Sequence, residues 1–520
     1  MLFNSDSVLF VFLPLLLMCW RLAAGYGTAI LALVLLAFSF VFYGLWGLHF
    51  LVLMVTMLAV NYGFASALAS DRAADADFGQ AVDRRHVFGL GRKGLLGLAL
   101  TINLLPLLWF KYSAFIAQNL AALLHLHWQF DAPGLPVGIS FYTFIQIAWL
   151  VSVYRGQVRP RGLTRHLLFS TCFPYVISGP IVRYEQMGPQ LSMLHWPTME
   201  GMARGFSLFT VGLAKKVILA DSIALYADAV FNAAEKALPL SGGEAWLGSL
   251  CYTFQLYFDF SGYTDMAIGL GLMLGLRLPE NFDSPYKSTG IVDFWRRWHI
   301  TLGSWLRDFL YIPLGGNRLG KLRKYRNLFL TMLVGGAWHG AGWTFIVWGA
   351  LHGAMLSINH FFRAQIRNTR LETVLAALPL RMFFIACTFF CINLCWVVFR
   401  AASMEGAWRM YQAMFVGPFN AEGTAMAVSV EGLSALAALG ASCLPNGYVQ
   451  GWQPFALLLT SCVTVWILPN SHEIFYGRRD GTCPRLHWRP SLAWAMGLAG
   501  LAFASLLLSS RQATFLYFQF

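Results

Sequence analysis

Apolar residues in this chain run in long, nearly unbroken stretches joined by short polar connections. The stretches lie near residues 7–20, 27–46, 48–69, 95–124, 135–154, 166–182, 203–231, 245–275, 327–345, 346–362, 380–399, 424–443, 452–469 and 491–509. Many hold about 18 residues or more, close to the roughly 20 that a helix needs to cross the hydrocarbon core of a bilayer. They are too long and continuous for barrel strands, and helices satisfy their own backbone polar groups in lipid. Some stretches are half-spans, so the pattern predicts an all-α, polytopic membrane protein with roughly eleven transmembrane helices plus re-entrant or amphipathic ones. The opening MLFNSDSVLFVFLPLLLMCW lacks a basic n-region and runs directly into a second apolar segment, so it reads as a retained first helix and not a signal peptide.

Composition sharpens this picture. Of 520 residues 58% are hydrophobic and only 12% charged, far from the balance of a soluble domain. The charges that remain are grouped. Basic loops occur at 84–93 (Arg84, Arg85, Arg92, Lys93), 155–165 (Arg155, Arg159, Arg161, Arg165), 318–326 (Arg318, Lys321, Arg323, Lys324, Arg326) and 478–489 (Arg478, Arg479, Arg485, Arg489). By the positive-inside tendency these loops face the cytoplasm, and the last helix delivers RQATFLYFQF to the outside. A net charge of +13 suits anchoring to an anionic leaflet and needs no nucleic acid. The nine cysteines form no CxxC pair and no zinc spacing, and several fall inside apolar runs, so they read as small buried hydrophobes. GLGRKG at 89–94 matches a GxGxxG pattern but follows a charged linker instead of a strand, so no dinucleotide site is expected there. No Walker A pattern is present, which argues against an ATP-driven pump.

Three stretches depart from the apolar background. DFWRRWHITLGSWLRDFLYIPLGGNR, residues 293–318, carries four arginines, two aspartates and a histidine. At helical period Ile291, Phe294, Trp295, Trp298, Leu302, Trp305, Leu306 and Phe309 share one face, with Asp293, Arg296, Arg297, Ser304, Arg307 and Asp308 opposite. This predicts an amphipathic helix that lies at the membrane surface or plugs into the protein, with His299 at the edge of its apolar face, ended by IPLGGNR. The second stretch places His339 in a run without charge from Asn327 to Gly349. An ionisable side chain at membrane depth is a functional candidate by default. Gly335, Gly336, Gly340 and Gly342 around it either permit close helix packing or leave room beside the imidazole. The third stretch, 252–286, sets Gln255, Asp259 and Asp265 into an otherwise apolar helix, as interhelical hydrogen-bonding groups or as a cavity lining, with Gly271 and Gly275 as a packing pair.

The run from YFDFSGYTDMAIGLGL through NFDSPY, FWRRWHITLGSWLRDFLYIPLGGNR and YRNLFLTMLVGGAWHGA resembles the membrane-bound O-acyltransferase superfamily, in its bacterial branch of the alginate O-acetyltransferase type. LPVGISFYTF, FPYVISGPIVRYEQM and the final FLYFQF extend the resemblance over most of the chain. It implies one membrane-embedded domain over residues 1–520, its motif-bearing core at about 135–400 with further helices beyond, wrapped around a central funnel or tunnel. It also implies that His339 of the WHG segment is catalytic and that His299 of the RRWH segment is a second functional residue. Trp295, Trp298, Trp338, Gln255, Asp259 and Asn281 are then expected to line or support the substrate path. HITLG stands where HISLS is more usual, which removes a hydroxyl at Gly303.

The implied activity is acetyl transfer from a cytoplasmic thioester, with acetyl-CoA as expected donor and no bound cofactor or metal, for O-acetylation of a secreted exopolysaccharide such as alginate or cellulose. The chemistry suits the residues. A hydroxyl that attacks a thioester needs a base with a pKa near neutrality, which imidazole supplies, and a dry cavity protects the thioester from water. The expected setting is the bacterial inner membrane, beside a periplasmic acetyltransferase partner. D-alanyl transfer to teichoic acid is a sister possibility that shares both histidines, and a transporter or flippase is a third, although no inverted repeat is evident. The charge distribution makes a direct prediction about orientation. Cysteine labelling on a Cys-free background should reach positions near Arg323 and Arg485 only from the cytoplasm, and a C-terminal tag only from outside. Periplasmic labelling beside Arg485 would overturn the orientation.

Overall fold

The computed structural model describes residues 3–77, 90–417 apart from 129, 132, 319 and 376, 451–509 apart from 479, and residue 516. The expected segment 424–443, Arg84 and Arg85 of the first basic loop, Arg479, and all of the C-terminal RQATFLYFQF but Leu516 lie outside the described residues. Among the described residues the regular structure is helical throughout, and the antiparallel bridge between Phe282 and Trp298 is isolated. The other predicted apolar segments fall on helices. Segment 166–182 does so only in part: Leu163–Thr171 and Phe173–Val176 are helical and the rest is not. Pro174 cannot donate into a continuing ladder and Gly179-Pro180 ends it.

Five described helical stretches are long and apolar enough to cross a membrane: Ser7–Tyr26, Leu48–Ala69, Arg92–Leu123, Trp343–Ile366 and Leu378–Arg400. Thr28–Gly44, Gln453–Ile467 and Leu492–Leu508 are apolar but shorter. The protein is thus a multi-pass, all-helical membrane protein. Gly242–Met273 is as long as the longest of these and has a different character, because every residue from Cys251 to Leu270 is buried. A helix covered on all sides is an interior element.

The chain forms two compact units, Met1–Phe209 with Met266–Glu280, and Thr210–Asp265 with Asn281–Phe520. In the first, interhelical amide pairs hold the helices in register. Asn61 and Asn103 exchange hydrogen bonds of 2.9 and 2.7 Å, Asn61 reaches Gln146 at 3.3 Å, and Gln146 donates to Ser170 at 2.8 Å. Each such bond contributes modestly in a membrane setting, about 0.6 kcal/mol on average, but fixes geometry. The glycine pair expected at 271 and 275 is replaced by other contacts. The helix ends at Met273, and Gly275 turns left-handed (φ 76°), with Leu276 N–H bonded to the Gly271 carbonyl at 2.7 Å and Gly275 N–H to that of Leu272 at 3.1 Å. Gly275 is therefore a helix stop, where a side chain would be strained. Close packing instead uses Gly269, where a Cβ would lie 2.6 Å from the Gly205 carbonyl.

The second unit holds both candidate histidines. Its helix pair Lys321–His339 and Trp343–Ile366 packs backbone to backbone. A Cβ on Gly349 would sit 2.5 Å from the Met332 carbonyl, one on Gly353 would lie 2.9 Å from Phe329 Cα, and one on Gly336 would run into the Phe345 carbonyl. Two lysines of this unit are held in its interior by carboxylates. Lys216 meets Asp221 at 2.6 Å and Asp259 at 2.8 Å, all three at most 3% exposed. Lys215 binds Asp265 at 2.7 Å, and both bond to Ser471.

Removing one member of a buried ionic group strands the others, at about 3–5 kcal/mol, whereas an exposed pair contributes about 1 kcal/mol or less. Lys216→Met should therefore lower the thermal unfolding temperature of detergent-purified protein steeply, and Arg204→Gln, which breaks the more exposed Arg204–Glu200 pair, should barely move it. Equal shifts from the two variants would refute the structural weight given to the Lys216 cluster.

Candidate functional site

The segment predicted as one amphipathic helix is two short ones. Ile291–Arg297 and Ile300–Leu306 are separated by Trp298, which is extended, and His299, which is left-handed (φ 43°). A turn of π-helix, Arg307–Tyr311, follows. Nothing local forces this break, since neither glycine nor proline occurs at it. The chain from 281 to 283 supplies the reason. Its Asp283 N–H donates to the Arg297 carbonyl at 3.0 Å, and Ile300 N–H donates to the Asn281 carbonyl at 3.0 Å. Asn281 Oδ1 then accepts from Thr301 Oγ1 at 2.6 Å and from Thr301 N–H at 3.3 Å, so a distant side chain caps the second helix. The two-faced pattern survives the break: Phe294, Trp298, Leu302, Trp305 and Leu306 are buried, while Arg296 and Arg307 are exposed. The inward direction expected for His299 also holds, because the residue is fully buried. A non-glycine residue held left-handed inside a packed interior is costly, and such strain concentrates at functional sites.

His339 is the last residue of its helix, terminated by an extended Gly340. It is 4% exposed. The two readings of the surrounding glycines are resolved by Phe345, whose carbonyl and ring occupy the space beside Gly336 and Gly340. Gly336 and Gly340 serve packing. Trp338 stands between the candidate histidines, its ring 4.9 Å from that of His339 and 6.3 Å from that of His299. Phe260 covers His299 edge-on at 4.7 Å. Trp348 and Phe399 meet His339 edge-on at 5.1 and 5.2 Å.

These contacts belong to a continuous aromatic cluster. Trp298 lies 5.0 Å from Trp396, Trp396 stacks on Trp348 at 5.7 Å, and Trp295 lies 5.9 Å from Trp348. Of the residues expected along the path, Trp295, Trp298 and Trp338 are thus together with both histidines, and Asn281 positions the His299 turn. Asp259 is committed to Lys216 and also accepts the Leu516 N–H at 2.9 Å. Gln255 is buried, its Oε1 without a donor among the described residues. Trp348, Trp396, Phe399 and a third histidine, His352, were not singled out from sequence. His352 is fully buried, and the Trp295 indole N–H donates to its Nδ1 at 3.1 Å. Its position four residues after Trp348, on the helical period, is the one signal that placed it on the same face.

Chemically, the cluster offers imidazoles in a casing of indole and phenyl rings. Imidazole accepts a proton near neutral pH, and the rings exclude water and lower the local polarity, which favours acyl transfer over hydrolysis.

The comparisons agree with this chemistry. The model of the membrane-bound O-acyltransferase family matches residues 99–408, more than half of the chain and all of the cluster. A probable alginate O-acetylase of Azotobacter vinelandii is 42% identical over 80% of this chain and 78% of its own length. A peptidoglycan O-acetyltransferase of Helicobacter pylori is 35% identical over 100% of this chain and 98% of its own. A teichoic acid D-alanyltransferase of Bacillus subtilis is 30% identical over 44% of this chain and 59% of its own. A family match of that extent, joined to similarity over 80% and 100% of this chain with two acetyl-transferring relatives, makes this chain an O-acyltransferase of the membrane-bound O-acyltransferase family.

Proposed function

We propose that this enzyme moves acetyl groups from a cytoplasmic thioester donor, acetyl-CoA, across the inner membrane for O-acetylation of a secreted exopolysaccharide, with alginate the first candidate and cellulose a second. The observation that carries the reading is the pairing of His339 and His299 on Trp338 within one aromatic cluster, inside the matched family segment. His339 takes the proton of the acceptor hydroxyl as its oxygen attacks the thioester carbonyl carbon. The C–S bond breaks, the thiolate leaves and is reprotonated, and one acetyl ester forms. His299 orients the thioester or donates a hydrogen bond to the oxyanion. The helices around the cluster enclose a funnel or tunnel by which donor and acceptor meet from opposite faces. The acceptor hydroxyl belongs to the polymer or to a periplasmic acetyltransferase partner that passes the group on.

Acetyl transfer is favoured over D-alanyl transfer because the D-alanyltransferase relative aligns with under half of this chain, whereas the alginate and peptidoglycan acetyltransferases align with most or all of it. The full-length similarity to the peptidoglycan enzyme supports peptidoglycan as a third candidate acceptor. A transporter would show substrate flux without covalent product.

His339→Ala should abolish acetylation of the secreted polymer, read by mass spectrometry, while the protein stays inserted and folded. His299→Gln keeps a hydrogen-bonding group of similar size but loses the titratable nitrogen, so turnover should fall about 10²-fold. Arg297→Gln, which breaks the partly exposed pair with Asp293, should leave turnover largely intact, because such a pair contributes about 1 kcal/mol or less. Normal acetylation by a stably expressed His339→Ala variant would sink the catalytic assignment, and loss of acetyl groups from peptidoglycan instead of exopolysaccharide in a deletion strain would move the acceptor.

A further inference from the structure

His352 is a buried titratable group that the proposed reaction does not use. Its protonation state follows from its partner. An indole N–H can only donate, so Nδ1 of His352 must accept, and the imidazole is neutral with its proton on Nε2. Nε2 has no acceptor among the described residues and lies among the rings of Trp348, Trp396 and Phe294, at 4.5, 6.2 and 6.4 Å between centroids. A buried donor without an acceptor costs about 1–3 kcal/mol.

The placement of the bond suggests what it is retained for. Trp295 belongs to Ile291–Arg297, the helix that leads through Trp298 into the strained His299. His352 belongs to Trp343–Ile366, one turn beyond Trp348, whose ring lies 5.1 Å from His339 on one side and 4.5 Å from His352 on the other. The Trp295–His352 hydrogen bond therefore ties the segment carrying one catalytic candidate to the wall against the other.

We propose that His352 is a positioning residue of the acyl transfer: through its Nδ1 it anchors Trp295, and through Trp348 it holds the spacing between His299 and His339. The inference rests on the assignment of those two histidines as the reacting pair. The essential feature is an acceptor at the δ position. Leucine removes it, whereas asparagine returns an oxygen to nearly the same place. A displacement of about 1 Å at a reacting group changes rates by as much as about 10²-fold.

The test uses the full-length protein in nanodiscs, with acetyl-CoA as donor and alginate as acceptor, and records kcat, KM for acetyl-CoA and unfolding temperature. His352→Leu and Trp295→Phe should each lower kcat about 10- to 100-fold with little change in KM or unfolding temperature. The double variant should be no worse than the poorer single one, since both remove the same bond. His352→Asn should recover most of the loss. Full turnover by His352→Leu, multiplicative losses in the double variant, an inactive but folded His352→Asn, or losses that merely track unfolding would each overturn the proposal. Cryo-EM of the wild type and of His352→Leu supplies a readout independent of substrate. The Trp338 and His339 rings should shift relative to His299 in the variant, and an unchanged arrangement would reject the inference. If the wild type does not transfer acetyl groups at all, the acetyl-CoA reading fails, and the cryo-EM comparison still decides the role of His352.

Discussion

The close approach of two helices, Lys321–His339 and Trp343–Ile366, is the constraint on which the site depends. Gly336, Gly349 and Gly353 have no room for a side chain, and their absence of one lets the two backbones touch. Only at that separation does Trp348 reach the ring of His339 across the turn and does Phe345 fill the space beside Gly340. Lipid tails are as apolar as leucine, so burial alone would not drive these helices together. Tight van der Waals contact along small residues does. A hairpin made rigid in this way can hold a histidine at its end without surrounding it with charge.

The polar groups are handled by a complementary rule. An unpaired charge in a low-dielectric interior is prohibitive, and here the deeply buried Asp259 and Asp221 are matched to Lys216, while Asp265 is matched to Lys215. These residues lend the long buried helix Gly242–Met273 fixed neighbours in the second unit without adding net reactivity. The histidines are treated differently. They are packed against rings, where a neutral imidazole is tolerated. The separation of carboxylates into ion pairs and imidazoles into an aromatic casing leaves the imidazoles as the groups fitted for proton transfer.

Trp338 and Trp348 are the joints of that casing. Trp338 lies against both candidate histidines, and Trp348 lies against His339 and His352. Large, stiff rings of this kind transmit position well because they have few rotamers and many contacts. The geometry of the site thus depends on Trp338 and Trp348 as well as on the histidines themselves.

Much of this was legible in one dimension. Apolar run length decided that the chain is helical and membrane-embedded, since lipid leaves few other ways to satisfy a backbone. The isolation of His339 in an uncharged run marked it as a candidate, and the alternation of faces over 291–309 correctly oriented His299 inward. What the one-dimensional pattern missed depends on partners far away in sequence. The helix broken at Trp298–His299 is held by the backbone and side chain of residues 281–283, and no local signal competes with the helical period there. Gly275 reads as a packing residue until the helix is seen to stop at Met273. Asp259 and Asp265 read as interhelical hydrogen-bonding groups or as a lining, and the lysines opposite them, Lys216 and Lys215, carry no mark in the sequence. His352 carried only its helical spacing from Trp348, because its significance lies in a bond to Trp295, 57 residues away. Periodicity reports which face of an element is buried; only the folded chain decides which residue it is buried against.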